Sequence, residues 1–100
     1  MHYYNHHIGD FLKATSRLTD AQSMAYLRLL WMYYDSEKPL PDQLDTLAFQ
    51  VGVDENTVRL ILQAFFKNEG GAWRHTRCDK EITEYQQLIH KRSNAGRASA

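Results

Sequence analysis

The clearest pattern of hydrophobic positions lies in the second fifth of the chain. Large apolar residues recur there at steps of three and four, which places them on one face of a helix; they are Met24, Leu27, Leu30, Trp31 and Tyr34. Thr19 and Gln22 stand three residues apart just before this run, as in a capping box. Pro39 and Pro41 forbid its continuation. The pattern predicts a long central helix, in which we expect Trp31 to belong to the core.

Two shorter amphipathic patterns follow the prolines. The first begins near Pro41 or Asp42, and its apolar positions are Leu44, Leu47, Ala48 and Val51. Gly52 supplies the left-handed residue expected just past a helix end. Asp54 is a good N-cap for the second helix, whose face is marked by Thr57, Val58, Ile61, Leu62, Phe65 and Phe66. Two short helices joined by about three residues around a glycine are typical of a helix-turn-helix.

A cluster of turn residues comes next. Residues 68–71 read Asn-Glu-Gly-Gly, which favours a hairpin. Residues 72–77 loosely alternate large and polar side chains, as a half-buried strand does. We interpret residues 68–77 as the wing of a winged helix. A last helix is predicted from about Asp79, with apolar positions at Ile82, Tyr85, Leu88 and Ile89.

The two ends of the chain have weaker patterns. Residues 1–10 are rich in aromatic and histidine side chains and carry a turn signal at Gly9 and Asp10, so both a short edge strand and an extended arm fit. Residues 91–100 are basic and rich in small side chains, as in a tail or the start of a linker. The whole pattern predicts a fold that is mainly α with a small β-hairpin, namely a winged helix-turn-helix over residues 1–90 with an additional C-terminal helix.

Composition and charge add constraints on the class of protein. The chain has 100 residues, enough for one domain, and its 12 basic and 12 acidic side chains cancel. A single cysteine excludes an internal disulfide and suits a reducing compartment. We find neither a secretory signal nor an apolar run that could span a bilayer, so we expect a cytoplasmic protein without membrane contact. Basic side chains are concentrated after Trp73.

Catalytic and metal-binding patterns are weak. Cys78 stands near the start of the last helix, but no other nucleophile constellation, phosphate-binding glycine loop or zinc-peptidase motif accompanies it. We therefore predict a non-enzyme without a cofactor, in which Cys78 is structural. His2, His6 and His7 lack the paired spacing of a structural zinc site. We predict no metal, although the sequence leaves the role of these three histidines open.

Short motifs along the whole chain carry a resemblance to a known family. They are MHYY (1–4), IGD (8–10), LT (18–19), AYLRLL (25–30), YY (33–34), PLP (39–41), FF (65–66), Trp73, RCD (77–79), EI (81–82) and AGRAS (95–99). On these motifs the chain resembles the YdaU-like prophage domain family, most of which has no known function. The resemblance implies the N-terminal domain of a phage replication-initiation-type protein. Members often continue into a longer, variable C-terminal part.

A helix-turn-helix reads base edges with the outward side chains of its second helix. The predicted recognition helix spans residues 54–67. The side-chain amides of Asn56 and Gln63 suit adenine, and the Arg59 guanidinium suits guanine. Thr57 suits a phosphate or a thymine methyl group. Bases of the wing and tail would neutralise phosphates. The predicted DNA-binding set is Asn56, Thr57, Arg59, Gln63, Lys67, Arg74, Arg77, Lys91, Arg92 and Arg97. The alternative is an ordinary polar helix face, with Arg77 paired locally to Asp79 or Glu81.

Two functions of different classes follow. The first is duplex DNA binding for replication initiation, favoured by the wing and tail bases and by the family context. The second is a winged-helix module that self-associates or docks a replicative helicase or loader without touching DNA, favoured by the zero net charge and by Asp54 and Glu55 at the start of the predicted recognition helix. A homodimer is compatible with both functions. Aromatic side chains concentrate at interfaces, and Tyr26 and Tyr33 could belong either to the core or to a dimer face.

Overall fold

A computed structural model describes the backbone of residues 1–99 and the side chains of residues 1–93. Over this part of the chain, helices and short strands follow in the order α1 (Ile8–Thr15), α2 (Asp20–Ser36), β1 (Leu40–Pro41), α3 (Leu44–Val51), α4 (Glu55–Phe65), β2 (Lys67–Glu69), β3 (Ala72–Arg74) and α5 (Thr76–Ser99). The prediction of a mainly α fold with a small β-hairpin is confirmed. None of the helices in the described part is long and apolar enough to cross a membrane.

Helix α2 forms the centre of the fold and begins at the predicted capping box. The Thr19 side chain accepts from the Gln22 N–H at 3.1 Å, and the Gln22 side chain accepts from the Thr19 N–H at 2.9 Å. The helix ends at Glu37, a left-handed residue with φ of 56° whose N–H donates to Tyr33 O. The end is therefore set two residues before Pro39.

The buried face of α2 differs from the predicted stripe. Its buried residues are Ala25, Tyr26, Leu29, Leu30, Tyr33 and Tyr34. Trp31 is 46% exposed, so its assignment to the core was wrong. Helices α4 and α5 cover the side of α2 that carries Tyr26 and Tyr33, whereas Trp31 meets the N-terminal arm through a 3.0 Å bond from its Nε1 to Tyr4 Oη. Trp31 is therefore a partly exposed side chain that contacts the N-terminal arm and does not belong to the core.

The N-terminal segment contains a helix that the sequence pattern did not predict. Residues 1–7 are an extended arm, which excludes the edge-strand alternative, and α1 starts at Ile8. Gly9 and Asp10, predicted as a turn, lie in the first helical turn. No side chain caps this helix, but Ile8, Phe11 and Leu12 fall at three- and four-residue steps on one face, and Phe11 stacks on Tyr26. The helical spacing of α1 was therefore present in the sequence, without a capping residue to mark its start.

Helices α3 and α4 are joined as predicted. Gly52 has a φ of 84° and its N–H donates to Ala48 O at 2.9 Å. Arg28 of α2 donates from Nη1 to Val51 O at 2.6 Å, which satisfies a carbonyl at the end of α3. Asp54 then caps α4 by accepting from the Thr57 N–H at 3.0 Å. The α3–α4 connection is thus fixed at both of its ends.

The hairpin belongs to a three-stranded antiparallel sheet in the order β1-β3-β2. Strand β1, which the sequence did not predict, pairs Leu40 with Trp73. Asp42, just after β1, accepts from Trp73 Nε1 at 3.1 Å and from Asn68 Nδ2 at 3.0 Å. One carboxylate therefore holds both strands of the hairpin against the segment between α2 and α3.

Helix α5 is longer than predicted at both ends. It starts at Thr76, so residues 75–77 do not belong to the hairpin strand, which ends at Arg74. His75 precedes the helix, and its Nδ1 accepts from the Cys78 N–H at 3.3 Å. The helix runs to Ser99, where the sequence predicted a tail from residue 91. A helix here has backbone hydrogen bonds that a linker lacks. At its other end, the change from strand to helix at His75 makes the hairpin shorter than the predicted wing.

Candidate nucleic-acid interface

The outward face of α4 presents the predicted base-reading side chains together. Asn56, Arg59 and Gln63 are exposed and lie within about 60° of one another around the helix axis, given 100° per residue. Val58, Ile61 and Leu62 on the other side are buried. Arg59 Nη1 donates to Asn56 Oδ1 at 3.3 Å, which leaves the Asn56 amide N–H groups and most of the guanidinium available.

Thr57 and Asp54 form the start of this helix rather than part of its free surface. Besides the backbone bond, Thr57 Oγ1 donates to Asp54 Oδ1 at 2.6 Å. These hydrogen bonds from Thr57, first from the side chain and then from the backbone, lower the pKa of the Asp54 carboxyl. The cap uses the hydroxyl proton that a phosphate contact by Thr57 would need. It also leaves a carboxylate charge at the end of α4 predicted to approach DNA.

Leu60 lies beside this polar face, about 40° from Asn56 around the helix axis and on the side away from Arg59, and was missed by the sequence interpretation. It is 45% exposed and falls four residues after Asn56 and one after Arg59. Phe49 on the neighbouring helix α3 is 89% exposed. The helical positions of these residues were visible in the sequence, but their exposure depends on where α2 packs. The exposed surface of α4 is therefore mixed, with an apolar side chain beside the three polar ones.

The bases of the hairpin have unequal surroundings. Lys67 at the start of β2 is exposed, and no ion pair of the described residues involves it. Arg74 lies between two carboxylates, with Nε 3.8 Å from Glu69 Oε2 and Nη1 3.4 Å from Asp79 Oδ2. The free positive charge of the hairpin is thus Lys67, since Arg74 is largely balanced by its neighbours.

Arg77 is neutralised by a residue that the sequence did not connect to it. Its Nη2 lies 2.6 Å from Asp10 Oδ2 of α1, and not within ion-pair distance of Asp79 or Glu81. Arg77 stands in the first turn of α5 rather than in the wing. The local pairing considered for Arg77 was wrong because helix α1, which supplies Asp10, was not predicted.

The remaining predicted bases lie far along α5. Lys91 and Arg92 are exposed and stand 15 and 16 residues after Thr76, about 23 Å along the helix axis at 1.5 Å per residue. Arg97 lies outside the described side chains. The predicted phosphate-binding bases therefore form two separate groups, one at the α4–hairpin end and one on the second half of α5.

The histidines of the arm bond to neighbouring side chains. His6 Nδ1 is 3.2 Å from Tyr4 Oη, and His7 bonds to Glu81 of α5. Within residues 1–93 no three His, Cys, Asp or Glu side chains come together as a metal site would require. In this geometry His6 and His7 connect the arm to itself and to α5.

A pocket of about 530 Å³ lies between the arm, α1, α2 and the start of α5. Four of its polar side chains bond in pairs: Tyr26 Oη meets His75 Nε2 at 3.0 Å, and Arg77 meets Asp10. Burial, and then the charge of Arg77, lowers the pKa of His75. Burial also raises the pKa of Cys78 to about 12, so its enclosed thiol stays protonated at neutral pH. These groups hold the fold together.

Comparisons with known proteins identify a family. The model of the family described as "Protein of unknown function (DUF1376)" matches residues 2–83. The chain is 32% identical over 98 residues to "Uncharacterized protein YdaU" of Escherichia coli (strain K12). That alignment covers 97% of this chain but 34% of the relative, so the chain spans about a third of its length. No solved structure matches the chain. The resemblance to YdaU-like proteins is thereby confirmed.

Proposed function

The chain belongs to the DUF1376 family, whose function is unknown, and we propose that it is a DNA-binding winged-helix domain of a replication-initiation-type protein. Helix α4 acts as the recognition helix and the hairpin β2–β3 as the wing. The order α2-β1-α3-α4-β2-β3 supports this assignment, because a winged helix adds a small sheet and a hairpin to a helix-turn-helix. The duplex enters with its major groove on α4.

The observation that carries the proposal is the outward face of α4. A recognition helix needs long polar side chains that reach base edges on one exposed face, and a buried opposite face that fixes its angle. Asn56, Arg59 and Gln63 meet the first condition, and the buried Val58 and Ile61 meet the second. Gln63 and Asn56 match adenine, and Arg59 matches guanine.

Phosphate contacts in this proposal come mainly from bases without a carboxylate partner. Lys67 at the hairpin start is the nearest of these to α4. Arg74 and Arg77 contribute less, because each first has to leave an acidic neighbour. Lys91 and Arg92, about 23 Å along α5, contact DNA only if the duplex also runs beside that helix. We therefore expect a shallow salt dependence, equal to a few released counterions.

Fluorescence anisotropy with random duplex and single-stranded DNA, at low and physiological salt, tests the proposal. The double variant Arg59→Ala/Gln63→Ala should weaken binding to the preferred sequence by about 1–3 kcal/mol per lost base contact. Lys13→Ala, an exposed base of α1, is the matched control and should change it little. Equal affinity of the double variant and the control would refute α4 as the recognition helix.

A second candidate, docking of a replicative helicase or loader through the same face, has specific support. The chain carries no net charge, and Asp54 and Glu55 place two carboxylates at the start of α4. Phe49 and Leu60 are exposed on α3 and α4, and apolar side chains of this kind suit a protein partner better than a phosphate backbone. Absence of DNA binding even at low salt would favour this candidate. Phe49→Ser would then be expected to weaken partner binding.

A further inference from the structure

The second half of α5 has few contacts with the body of the protein. Between residues 83 and 93, Tyr85 is half-buried and the other side chains are exposed. The molecule measures 53 Å along its longest axis and 30 and 21 Å along the others. A helix of 24 residues is about 36 Å long, so α5 accounts for much of this elongation. The exposed second half of α5 is shorter than the about 12–15 residues below which a helix without tertiary packing is marginally stable in water, so a partner that covers it would stabilise it.

One side of this helix is apolar at its centre and carries opposite charges at its ends. Leu88 is 46% and Ile89 45% exposed. Arg92 lies one turn further along the helix, at an angle around the axis that falls between these two side chains. Glu84 stands one turn before Leu88 and is exposed. The order along the helix is therefore acid, apolar pair, base. When two copies of this surface face each other in antiparallel orientation, the acid of each lies near the base of the other, and the apolar pairs meet in the middle.

We propose that the second half of α5 packs antiparallel against the same helix of a second copy of this chain. The two-fold axis passes between Leu88 and Ile89, so that Leu88 of one copy packs on Ile89 of the other. Tyr85 and Arg92 stand 3.5 residues on either side of this axis, about 5 Å. Arg92 of each copy thus lies opposite Tyr85 and within reach of Glu84 of the other.

Charge decides the direction of the pair and favours a second copy as the occupant. A parallel arrangement would place Arg92 on Arg92 and Glu84 on Glu84, which is repulsive. The antiparallel arrangement pairs each base with an acid twice, as an isologous interface requires. Of the residues that carry this inference, only Arg92 also belongs to the predicted DNA-binding set; Glu84, Tyr85, Leu88 and Ile89 do not, so Leu88→Asp tests the pair separately from DNA binding.

Light scattering and sedimentation equilibrium over a wide concentration range test the pair directly. We expect a weak, concentration-dependent dimer of the 100-residue chain, since the contact is small. Leu88→Asp should abolish it. Glu84→Lys and Arg92→Glu should each weaken it about tenfold, because two symmetric pairs turn from attraction to repulsion. The double variant Glu84→Lys/Arg92→Glu should restore it, as the swapped charges are again complementary.

Two controls make the result specific. Gln87→Glu alters the charge on the opposite side of α5 and should leave dimerisation unchanged. Circular dichroism at a concentration where each variant is monomeric should show the same fold, since the substituted side chains are exposed or about half-exposed. A chain that stays monomeric at the highest concentration and lowest salt would overturn the proposal. A dimer indifferent to Leu88→Asp, or a double variant that does not recover, would overturn this surface and this direction, respectively.

Discussion

The α3–α4 segment and the N-terminal arm are both held against α2, but by different kinds of contact. The α3–α4 connection is fixed by neighbours in sequence, with Gly52 bonding four residues back and Asp54 three residues forward, and its helices bury aliphatic side chains. The arm is held by groups that are distant in sequence: His7 bonds 74 residues away to Glu81, the amino group of Met1 reaches Glu37, and the Tyr4 ring stacks on Tyr34. The first region gains stability from fully buried aliphatic side chains, whereas the second is attached by half-buried side chains and by polar pairs with at least one partly exposed partner.

The largest difference should lie between α4 and α1, the helix that follows the arm, and two isoleucines of equal size can measure it. Ile61→Ala in α4 removes a side chain with no exposure and should lower the free energy of unfolding by about 2–5 kcal/mol. Ile8→Ala in α1 truncates a side chain that is 66% exposed and should change it by less than about 0.5 kcal/mol. Urea unfolding followed by circular dichroism measures both. Similar losses would mean that α1 is as well packed as α4.

A second, smaller effect should come from the backbone at Gly52. Gly52→Ala places a side chain at φ of 84° and brings its Cβ to 3.3 Å from Arg28 Nη1, so we expect a loss above the about 1–2 kcal/mol of left-handed strain alone. Gly70→Ala is the matched control, because Gly70 also has a positive φ but has no atom near the added carbon. Equal losses in the two variants would show that the Arg28 contact adds no cost.

The same comparison explains which parts of the molecule the sequence could predict. The Thr19 cap, the Gly52 stop and the Asp54 cap act over three or four residues, so local patterns found them. Strand β1 has two residues and exists only because it pairs with β3, which no local pattern can show. Trp31 was misplaced for a related reason: the apolar stripe of α2 is wide, and only the packing of other elements selects its buried part.

The candidate interface also has one part that the sequence could predict, the exposed positions of α4, and one part that it could not, the ion-pair partners of the arginines. The exposed positions Asn56, Arg59 and Gln63 follow from helix periodicity, and the structure brings them to one face. The carboxylate partners of Arg74 are Glu69 and Asp79, and that of Arg77 is Asp10, which lies on a helix that the sequence interpretation missed. Helical periodicity can place a charge on a face, but whether that charge is already neutralised depends on contacts made across the fold.

A third prediction concerns the pH dependence of stability at His75, which lies between strand β3 and helix α5. The folded-state pKa of His75 lies below its ordinary value, because burial and Arg77 disfavour the charged ring, although Asp79 and Glu81 partly oppose this. The neutral ring contributes stability that is present above the unfolded pKa of about 6.5 and is lost as pH falls through the lower folded pKa. Its Nδ1 also accepts from the Cys78 N–H, which a protonated ring cannot do.

Thermal unfolding between pH 7.5 and pH 5 should therefore show declining stability, and His75→Asn should flatten the decline. Asparagine keeps an acceptor for the start of α5 but does not titrate. His6→Asn, on the arm and exposed, is the matched control and should leave the pH dependence as it is. An unchanged profile in the His75 variant would assign the pH dependence to other groups.

The smallest effect on stability, and the most informative for function, is expected at the pair between Asp10 and Arg77. The two side chains are about half exposed, so Asp10→Asn should alter the free energy of unfolding by less than about 1 kcal/mol. If α1 neutralises a base of the DNA surface, the freed Arg77 should raise duplex affinity a few-fold and steepen the salt dependence by about one counterion. Asp35→Asn changes the net charge equally at an exposed position at the end of α2, and it separates the general effect of charge from that of Arg77. Equal gains in the two variants would place Arg77 outside the interface, and α1 would then hold α5 without modulating any binding surface.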